Sequence, residues 1–336
     1  MSGGIIQARP PHRAGLFRFH GAGHISFLRK VTGLAKGVSA ILAFSINTIV
    51  LSTLLFIVAI GKALAPNDRI KDHVRKLSAR LAELWISNNN AILSLYRNTR
   101  WDIQIPDGLD KKGCYLVSCN HQSWVDILVL QRSFNRKLPF FRFFIKSQLF
   151  WVPFLGQAWW ALDMPFMKRD SKEKLAKNPQ LKGRDLENAR KACEKFRDIP
   201  VSMTNFPEGT RFSEEKSARL ESPYRHLLSP RIGGIGQVFY ALADKLDALI
   251  DVTIVYPQSR KRGQAPTFWE LVTGQISEII VRAEKRDIPP SLLGRDFRND
   301  REFRRELTAW LSQIWQEKDE LIEQIYISNA KRSASV

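Results

Sequence analysis

The sequence predicts an α/β fold: a mostly parallel central sheet flanked by helices, preceded by an N-terminal membrane-anchoring helical segment. Three observations carry that expectation. From about residue 100, short apolar runs suited to strands alternate with helical stretches, the pattern of a mostly parallel sheet covered on both faces. Ahead of them, no charged residue occurs between Gly37 and Gly61. The chain has 336 residues, 44% hydrophobic and 25% charged, which is enough to bury a real core and excludes wholesale disorder.

Taken in order, residues 1–36 carry Arg9, Arg13, Arg18, Arg29, Lys30 and Lys36 with no acid, the first thirty mix Gly, Pro, Arg and His in no period, and the whole stretch 1–36 reads as a flexible basic arm. Val38 to Ile60 reads VSAILAFSINTIVLSTLLFIVAI, 23 residues closed by Lys36 and Lys62. A helix needs about 20 apolar residues to cross a bilayer. Ala63-Leu64-Ala65 resembles a signal-peptide cleavage site, but the apolar run is too long and Pro66 would follow the cut, so the segment reads as a permanent anchor. Both flanks are basic, which leaves full crossing and a re-entrant hairpin equally open. From Asp68 to Tyr96, Ile70, Val74, Leu77, Leu81, Leu84, Trp85, Leu93 and Leu95 keep a largely helical spacing with Lys and Arg on the other face. Such a basic amphipathic helix lies on a membrane surface or packs on the protein. Residues 37–99 thus form the anchor region.

Residues 100–290 form the main domain. Its expected strands are Cys114–Cys119, Phe140–Lys146, Ala161–Lys168, Val201–Phe206, Ile250–Tyr256 and Ile276–Val281, with helices near 123–134, 148–160, 172–197 and 234–246. Residues 291–336 hold an amphipathic helix, with Phe303, Leu307, Trp310, Leu311, Ile314, Trp315, Leu321, Ile322 and Ile325 at helical spacing, then a tail. It is expected to pack on the domain.

The balance of 52 Lys and Arg against 33 Asp and Glu gives a formal charge of +19 and points to anionic partners: nucleic acid, acidic lipid head groups or phosphorylated substrates. No nucleic-acid motif is present, and the densest basic stretches flank the apolar segment, which favours lipid. Cys114, Cys119 and Cys193 are too few for a disulfide scaffold and lack the paired spacing of a zinc site.

Four short motifs carry the chemistry. The first, Asn120-His121-Gln122-Ser123-Trp124-Val125-Asp126, follows a strand and opens an apolar helix. On a straight helix His121 and Asp126 would sit about 140° apart. They meet if His121 lies in the strand-to-helix turn and Asp126 in the first helical turn, with Ser123 capping. A carboxylate there is favoured by the helix dipole and can hold an imidazole in one tautomer, making a general base. Taken alone, the pattern more often marks a cap acid beside an unrelated histidine. The second motif is Asp163-Met164-Pro165-Phe166-Met167-Lys168-Arg169, whose two terminal cations suit a phosphate or a solvated charge cluster. The third, Phe206-Pro207-Glu208-Gly209-Thr210-Arg211, ends another strand: glycine allows close backbone approach, arginine grips phosphate, and Glu208 orients Arg211 or bonds a substrate hydroxyl. The fourth is the apolar strand Val252–Tyr256 stopped by Pro257.

Together and in this order, the four resemble the glycerolipid acyltransferase family, typified by 1-acylglycerol-3-phosphate acyltransferases. Asn120, His121 and Asp126 match its NHxxxxD block, and Phe206–Arg211 matches FPEGTR letter for letter. The family's second block usually begins with Gly and ends in Arg; here it begins with Asp163 and ends in Arg169. The run from Arg211 to Lys216 and Ser222 to Pro230 looks like the branch of bacterial inner-membrane enzymes and of eukaryotic lysophosphatidic acid and lysocardiolipin acyltransferases. The resemblance covers about residues 85–285.

It implies transfer of a fatty acyl group from acyl-CoA or acyl carrier protein to the sn-2 hydroxyl of 1-acylglycerol-3-phosphate, with another lysophospholipid as the alternative acceptor and a non-catalytic lipid-binding protein as the alternative class. His121 would be the base and Asp126 its support. Asn120, Lys168, Arg169, Glu208, Gly209, Thr210 and Arg211 would bind substrate. No serine or cysteine nucleophile is needed, since the thioester is already activated, and neither metal nor cofactor is expected. Partners would be membrane phospholipids and the acyl carrier, with no nucleic acid, and the expected location is a bacterial inner membrane with the catalytic domain on its cytoplasmic side.

Overall fold

A computed structural model describes residues 21–64, 67–95, 99–167, 184–258, 264–297 and 299–334. Helix α1 (Gly21–Ala63) begins inside the stretch expected to be a flexible arm. It turns back into α2 (Asp68–Leu95). Asn47 meets Asn89 while Leu55 clusters with Ala82, the antiparallel order of a helical hairpin. Three asparagines fasten it: Asn47 Nδ2 donates to Asn89 Oδ1 at 2.8 Å and Asn88 Nδ2 donates to Asn47 Oδ1 at 2.9 Å. One stripe of α1 (Ala40, Phe44, Leu51, Leu55, Ala59) is buried, whereas Leu42, Ile46, Val50 and Ile57 on its other side are exposed. Thr32–Lys62 is long and apolar enough to cross a membrane, by length and composition.

The hairpin lies along the main domain. Gly37 lies against Trp269 and Thr273, the Phe44 and Phe268 rings meet edge-on at 5.5 Å, and Lys62 Nζ donates to Asp163 Oδ2 at 2.6 Å. At 1.5 Å per residue, Gly37 to Lys62 is about 38 Å of docked helix. Of the residues expected to form an apolar face on α2, Ile70, Leu77 and Leu84 are exposed; the buried stripe is Ser78, Ala82, Ile86, Asn89 and Leu93. Arg132 pins α2 by donating to Asn90 O at 3.0 Å.

The main domain is built on strands β1 (Arg100–Gln104), β2 (Cys114–Cys119), β3 (Phe141–Phe143), β6 (Val201–Asn205), β7 (Ala248–Val255) and β8 (Glu278–Arg286), in the order β1-β8-β7-β2-β6-β3. All neighbours are parallel except β7 and β8. Two further strands, β4 (Ile145–Lys146) and β5 (Phe166–Met167), pair separately. The helices are α3 (Val125–Phe134), α4 (Leu155–Ala161), α5 (Arg184–Glu194), α6 (Glu214–Arg219), α7 (Ile232–Leu242), α8 (Phe268–Val272) and α9 (Arg301–Ala334).

Period-two alternation sorts the strand side chains. Ile250, Val252 and Ile254 face the core shared with α1, α3 and α8, whereas Leu249 and Val255 face the core shared with α7 and α9. Both faces are covered, so β2 and β7 are buried throughout and mostly apolar. The polar members of β7, Asp251 and Thr253, are met by α9: the buried Lys318 ammonium lies 2.7 Å from Asp251 Oδ1, donates to Val252 O at 2.6 Å and reaches Thr253 Oγ1 at 3.3 Å. Phe303, Leu307, Leu311 and Trp315 fill the same core, so α9 packs on the domain as expected.

Two expected elements differ. Phe140–Lys146 is not one strand but β3 and β4, in different sheets. Among the described residues of Ala161–Lys168, strand is found only at Phe166–Met167, because Ala161 ends α4 and the chain then turns. Met164 N donates to Trp159 O at 2.9 Å and Asp163 N to Trp160 O at 3.0 Å, with Asp163 at φ 55°. This pair of bonds around a left-handed residue is a Schellman ending, where glycine is usual. Asp163, among the few side chains that tolerate the left-handed region, uses its carboxylate to hold Lys62 of the anchor. The expected helix over 172–197 is seen as α5, with residues 168–183 outside the described residues.

Candidate active site

Three adjacent parallel strands, β7, β2 and β6, end at the same edge of the sheet, in register Cys119 with Val252 and Ser118 with Asn205. The first, third and fourth motifs therefore leave the sheet side by side, where ligands bind in open α/β folds. Cys119 and Asn120 are fully buried; at His121 the chain turns out towards α3.

His121 and Asp126 meet as expected. His121 Nδ1 donates to Asp126 Oδ2 at 2.8 Å. The same oxygen accepts from the backbone N–H of Gln122 at 2.6 Å and of Ser123 at 2.8 Å, and Asp126 Oδ1 accepts from the Tyr256 hydroxyl at 2.6 Å. Burial pushes the Tyr256 phenol well above its ordinary value, with the neighbouring Asp126 charge adding to the shift, so its proton is available to donate. The carboxylate receives four donors while fully excluded from solvent. A hydrogen on Nδ1 leaves Nε2 as the basic nitrogen of a neutral imidazole, and Nε2 makes no hydrogen bond among the described residues. The ring stacks on Phe206 at 4.1 Å, and Phe206 on Phe143 at 6.1 Å, giving one side of the base an apolar wall.

Ser123 departs slightly from the expected cap: its hydroxyl accepts from Val125 N at 3.1 Å and donates to Pro266 O, while Asp126 returns the reciprocal bond to Ser123 N.

Asn120 and Glu208 have tasks different from the expected substrate contact. Asn120 Nδ2 donates to Ile254 O at 2.9 Å and Ile254 N donates to Asn120 Oδ1 at 2.8 Å, so its side chain stitches the first motif to β7. Glu208 is 1% exposed, and its hydrogen bonds go to backbone amides and not to Arg211. Its two oxygens accept from His121 N at 2.7 Å and Leu228 N at 2.9 Å, joining the base's own backbone to the loop after α6. Gly209 takes φ 69° in the turn closed by Gly209 N donating to Phe206 O at 2.9 Å, and Arg231 packs against it. The Thr210 hydroxyl accepts from Lys216 Nζ at 3.2 Å.

Arg211 sits at the same opening as His121. Its guanidinium lies 5.3 Å from the Trp124 ring centre, three residues beyond the base, and Phe212 N donates to His121 O at 2.7 Å. Arg211 is exposed, and Lys216 and Arg231, cations not anticipated from sequence, adjoin it through Thr210 and Gly209. Lys168 and Arg169 lie outside the described residues; β5, which leads to them, pairs with Lys146.

Tyr256 was also unanticipated, as it reads like one more apolar residue of a core strand. So was the clamp supplied by α9. Trp315 Nε1 donates to Leu228 O at 3.0 Å, Arg225 N and His226 N donate to Asp319 at 2.9 and 2.7 Å, and His226 Nε2 donates to Glu323 at 2.7 Å. The loop that presents the Leu228 amide to Glu208 is thus held by a helix some hundred residues later. The cysteines take no part in the chemistry: all three are buried, and burial raises each thiol, Cys114 to about 12.

Burial pushes the Glu208 carboxyl up to about 8, against the opposing pull of its two backbone donors. The folded chain then holds a proton that the unfolded chain, near 4.5, has released. This contribution to stability is complete at low pH and is lost as pH rises through the folded value. Glu208→Gln should remove that slope. Denaturant melts of both proteins at about pH 5 and about pH 8.5 should show the wild type losing on the order of 4 kcal/mol relative to the variant over that interval. A constant offset between the two would mean that Glu208 stays charged throughout.

Residues 100–256 match the family model described as Acyltransferase. The chain is 26% identical over 267 residues to 1-acyl-sn-glycerol-3-phosphate acyltransferase epsilon of Mus musculus, covering 73% of this chain and 67% of the relative. It is 27% identical to 2-acyl-1-lysophosphatidylinositol acyltransferase of Saccharomyces cerevisiae, over 62% of this chain and 60% of that one. It is 26% identical to lysocardiolipin acyltransferase 1 of Danio rerio, over 40% of this chain and 34% of that one. The chain thus spans between about a third and two thirds of the length of these curated relatives.

Proposed function

We propose that this chain, whose residues 100–256 match the acyltransferase family model, moves a fatty acyl group from acyl-CoA or acyl carrier protein to the sn-2 hydroxyl of a phosphate-bearing lysophospholipid, with 1-acylglycerol-3-phosphate the leading acceptor. The observation that carries the reading is the pairing of His121 with a buried Asp126 at an opening shared with Arg211. His121 Nε2 takes the hydroxyl proton as the oxygen attacks the thioester carbonyl. The tetrahedral intermediate collapses, the C–S bond breaks, and the proton on His121 passes to the departing thiolate. Asp126 stabilises the imidazolium formed in between. Arg211, with Lys216 and Arg231 beside it, holds the acceptor's phosphate. The relatives named for lysophosphatidic acid, lysophosphatidylinositol and lysocardiolipin acyl transfer share a phosphate next to the glycerol, the group these cations suit.

We read α1 and α2 as an anchor lying in one leaflet. About 38 Å of α1 is docked on the main domain, more than the ~30 Å of a hydrocarbon core, so a perpendicular crossing would carry the domain's charged surface into lipid. The exposed apolar side of α1 and Ile70, Leu77 and Leu84 of α2 suit burial at the interface. A carrier of acyl-CoA type is dissolved and anionic, which favours the cytoplasmic side.

The test is product analysis of purified protein given a panel of lysophospholipids and acyl donors. Acylated product should form from phosphate-bearing acceptors and not from monoacylglycerol. Arg211→Ala should raise the acceptor KM about tenfold with little change in the donor KM, the loss of a charge-assisted contact at an exposed site. Equal effects on both would remove Arg211 from the phosphate. No turnover with any acceptor would favour a lipid-binding protein.

A further inference from the structure

Part of the catalytic domain exposes what such domains ordinarily bury. Trp151 is 79% exposed, Phe154 45% and Trp160 46%. All three belong to one short segment, a 3₁₀ turn over Ser147–Trp151 followed by α4, and residues 147–162 contain no charged side chain. Aromatic clusters exposed in this way mark an interaction surface. The segment is stiff. Gly156 N donates to Val152 O at 2.8 Å, and the Gly156 backbone lies so close to the Phe150 carbonyl that a Cβ there would sit 1.8 Å from the oxygen. Beneath the tip, Phe150 packs edge-on against Trp151 at 5.3 Å and Phe166 at 5.8 Å. On its inner side, Ala158, Ala161 and Leu162 share a core with Leu55 and Ala59 of α1.

We propose that this tip, Trp151 with Phe154 and Trp160, is a second lipid-insertion element that seats the catalytic domain in the leaflet holding α1. The proposal rests on the reading of α1 as a lipid-embedded anchor. Continuity of surface identifies the occupant: the rings of Phe56 on α1 and Trp160 lie 6.4 Å apart, and Phe56, Ile57 and Ile60 are exposed next to the tip. The aromatic patch therefore extends the one apolar face already committed to lipid. Tryptophan suits that depth, since its ring is apolar and its N–H reaches the head groups. Lys146, exposed immediately before the turn, supplies a cation for anionic head groups. With the inserted face widened from α1 onto the catalytic domain itself, the domain would be fixed in tilt as well as in height, so the opening at His121 would face acceptors that keep their acyl chains in the bilayer.

The experiment uses the full chain and vesicles of equal parts phosphatidylcholine and phosphatidylglycerol, with and without brominated acyl chains. Wild-type tryptophan emission should be quenched by the brominated lipid, and Trp151→Phe should lose a measurable share of that quenching. Trp151→Ser/Phe154→Ser should partition onto the vesicles at least about tenfold more weakly, as expected for two large apolar groups, with turnover of a short-chain acceptor dissolved below its micelle concentration preserved. Equal quenching together with equal partitioning would overturn the tip alone, whereas a wild type that ignores vesicles would overturn the anchor reading with it. Lost turnover of the dissolved acceptor at full partitioning would make the tip part of the reaction cleft. Lost self-association in sedimentation at full partitioning would give this face to a second copy of the chain.

Discussion

His121→Ala should lower kcat for acyl transfer by about 10²–10⁴, the range for removing a positioned general base, with fold and membrane association unchanged. The site predicts this separation of effects. The side chain is partly exposed, and its ring contacts Phe206 on one side, so truncation opens a shallow gap at the surface and leaves no deep cavity. Its backbone bonds, which hold the turn, survive: His121 N still donates to Glu208 and His121 O still accepts from Phe212. The loss of stability should stay within about 2 kcal/mol, since the ring's contact with Phe206 and its Nδ1 bond to Asp126 disappear while Gln122 N, Ser123 N and the Tyr256 hydroxyl still donate to the carboxylate. Single-turnover rates with a saturating acyl donor, set beside a thermal melt, measure the two quantities separately. Turnover within about threefold of wild type in a folded variant would mean that another group takes the proton.

The site was legible in sequence to the extent that its chemistry is local. His121 and Asp126 are five residues apart, and the strand-to-helix turn that brings them together is marked by the run of buried residues before it and the apolar helix after it. The six letters Phe206 to Arg211 were equally clear, but their roles were not. Glu208 and Arg211 sit in one motif and face different ways, one inward to two backbone amides and one outward to solvent. A sequence shows a charged pair at hydrogen-bonding separation and cannot show which member is desolvated. Asn120 misleads in the same manner, since only the neighbouring strand reveals that Ile254 saturates its amide.

What stayed hidden was non-local. Tyr256 bonds Asp126 across 130 positions, and Trp315 bonds Leu228 across 87. Neither has a local signature, because a tyrosine ending an apolar strand and a tryptophan on an amphipathic helix are both ordinary core residues. The strand expected over Ala161–Lys168 failed for a different reason. Its apolar run is real, but Asp163 adopts a left-handed conformation that most side chains avoid, and its bond to Lys62 is visible only once the anchor is docked. The same substitution that departs from the family's usual glycine is therefore a tie between anchor and domain.

Asp126→Asn should be the more damaging of the two changes at the base, because it harms the fold as well as the reaction. An amide has one acceptor oxygen where the carboxylate has two, and its NH₂ would face either the Tyr256 hydroxyl or the group of His121 Nδ1, Gln122 N and Ser123 N. At a fully buried position this leaves at least one donor without a partner, so unfolding stability should fall by about 2–4 kcal/mol. Turnover should fall by about 10²–10⁴ or more, since an amide NH₂ pointed at Nδ1 favours the tautomer with hydrogen on Nε2, which cannot accept a proton there. Tyr256→Phe provides the control: it removes one donor, keeps the His–Asp bond, and should cost about tenfold in turnover at most. The two residues act as a unit, so the His121→Ala/Asp126→Asn double variant should be no slower than the slower single variant. Multiplied losses in the double variant, measured as single-turnover rates, would mean that Asp126 contributes by a route that does not pass through His121.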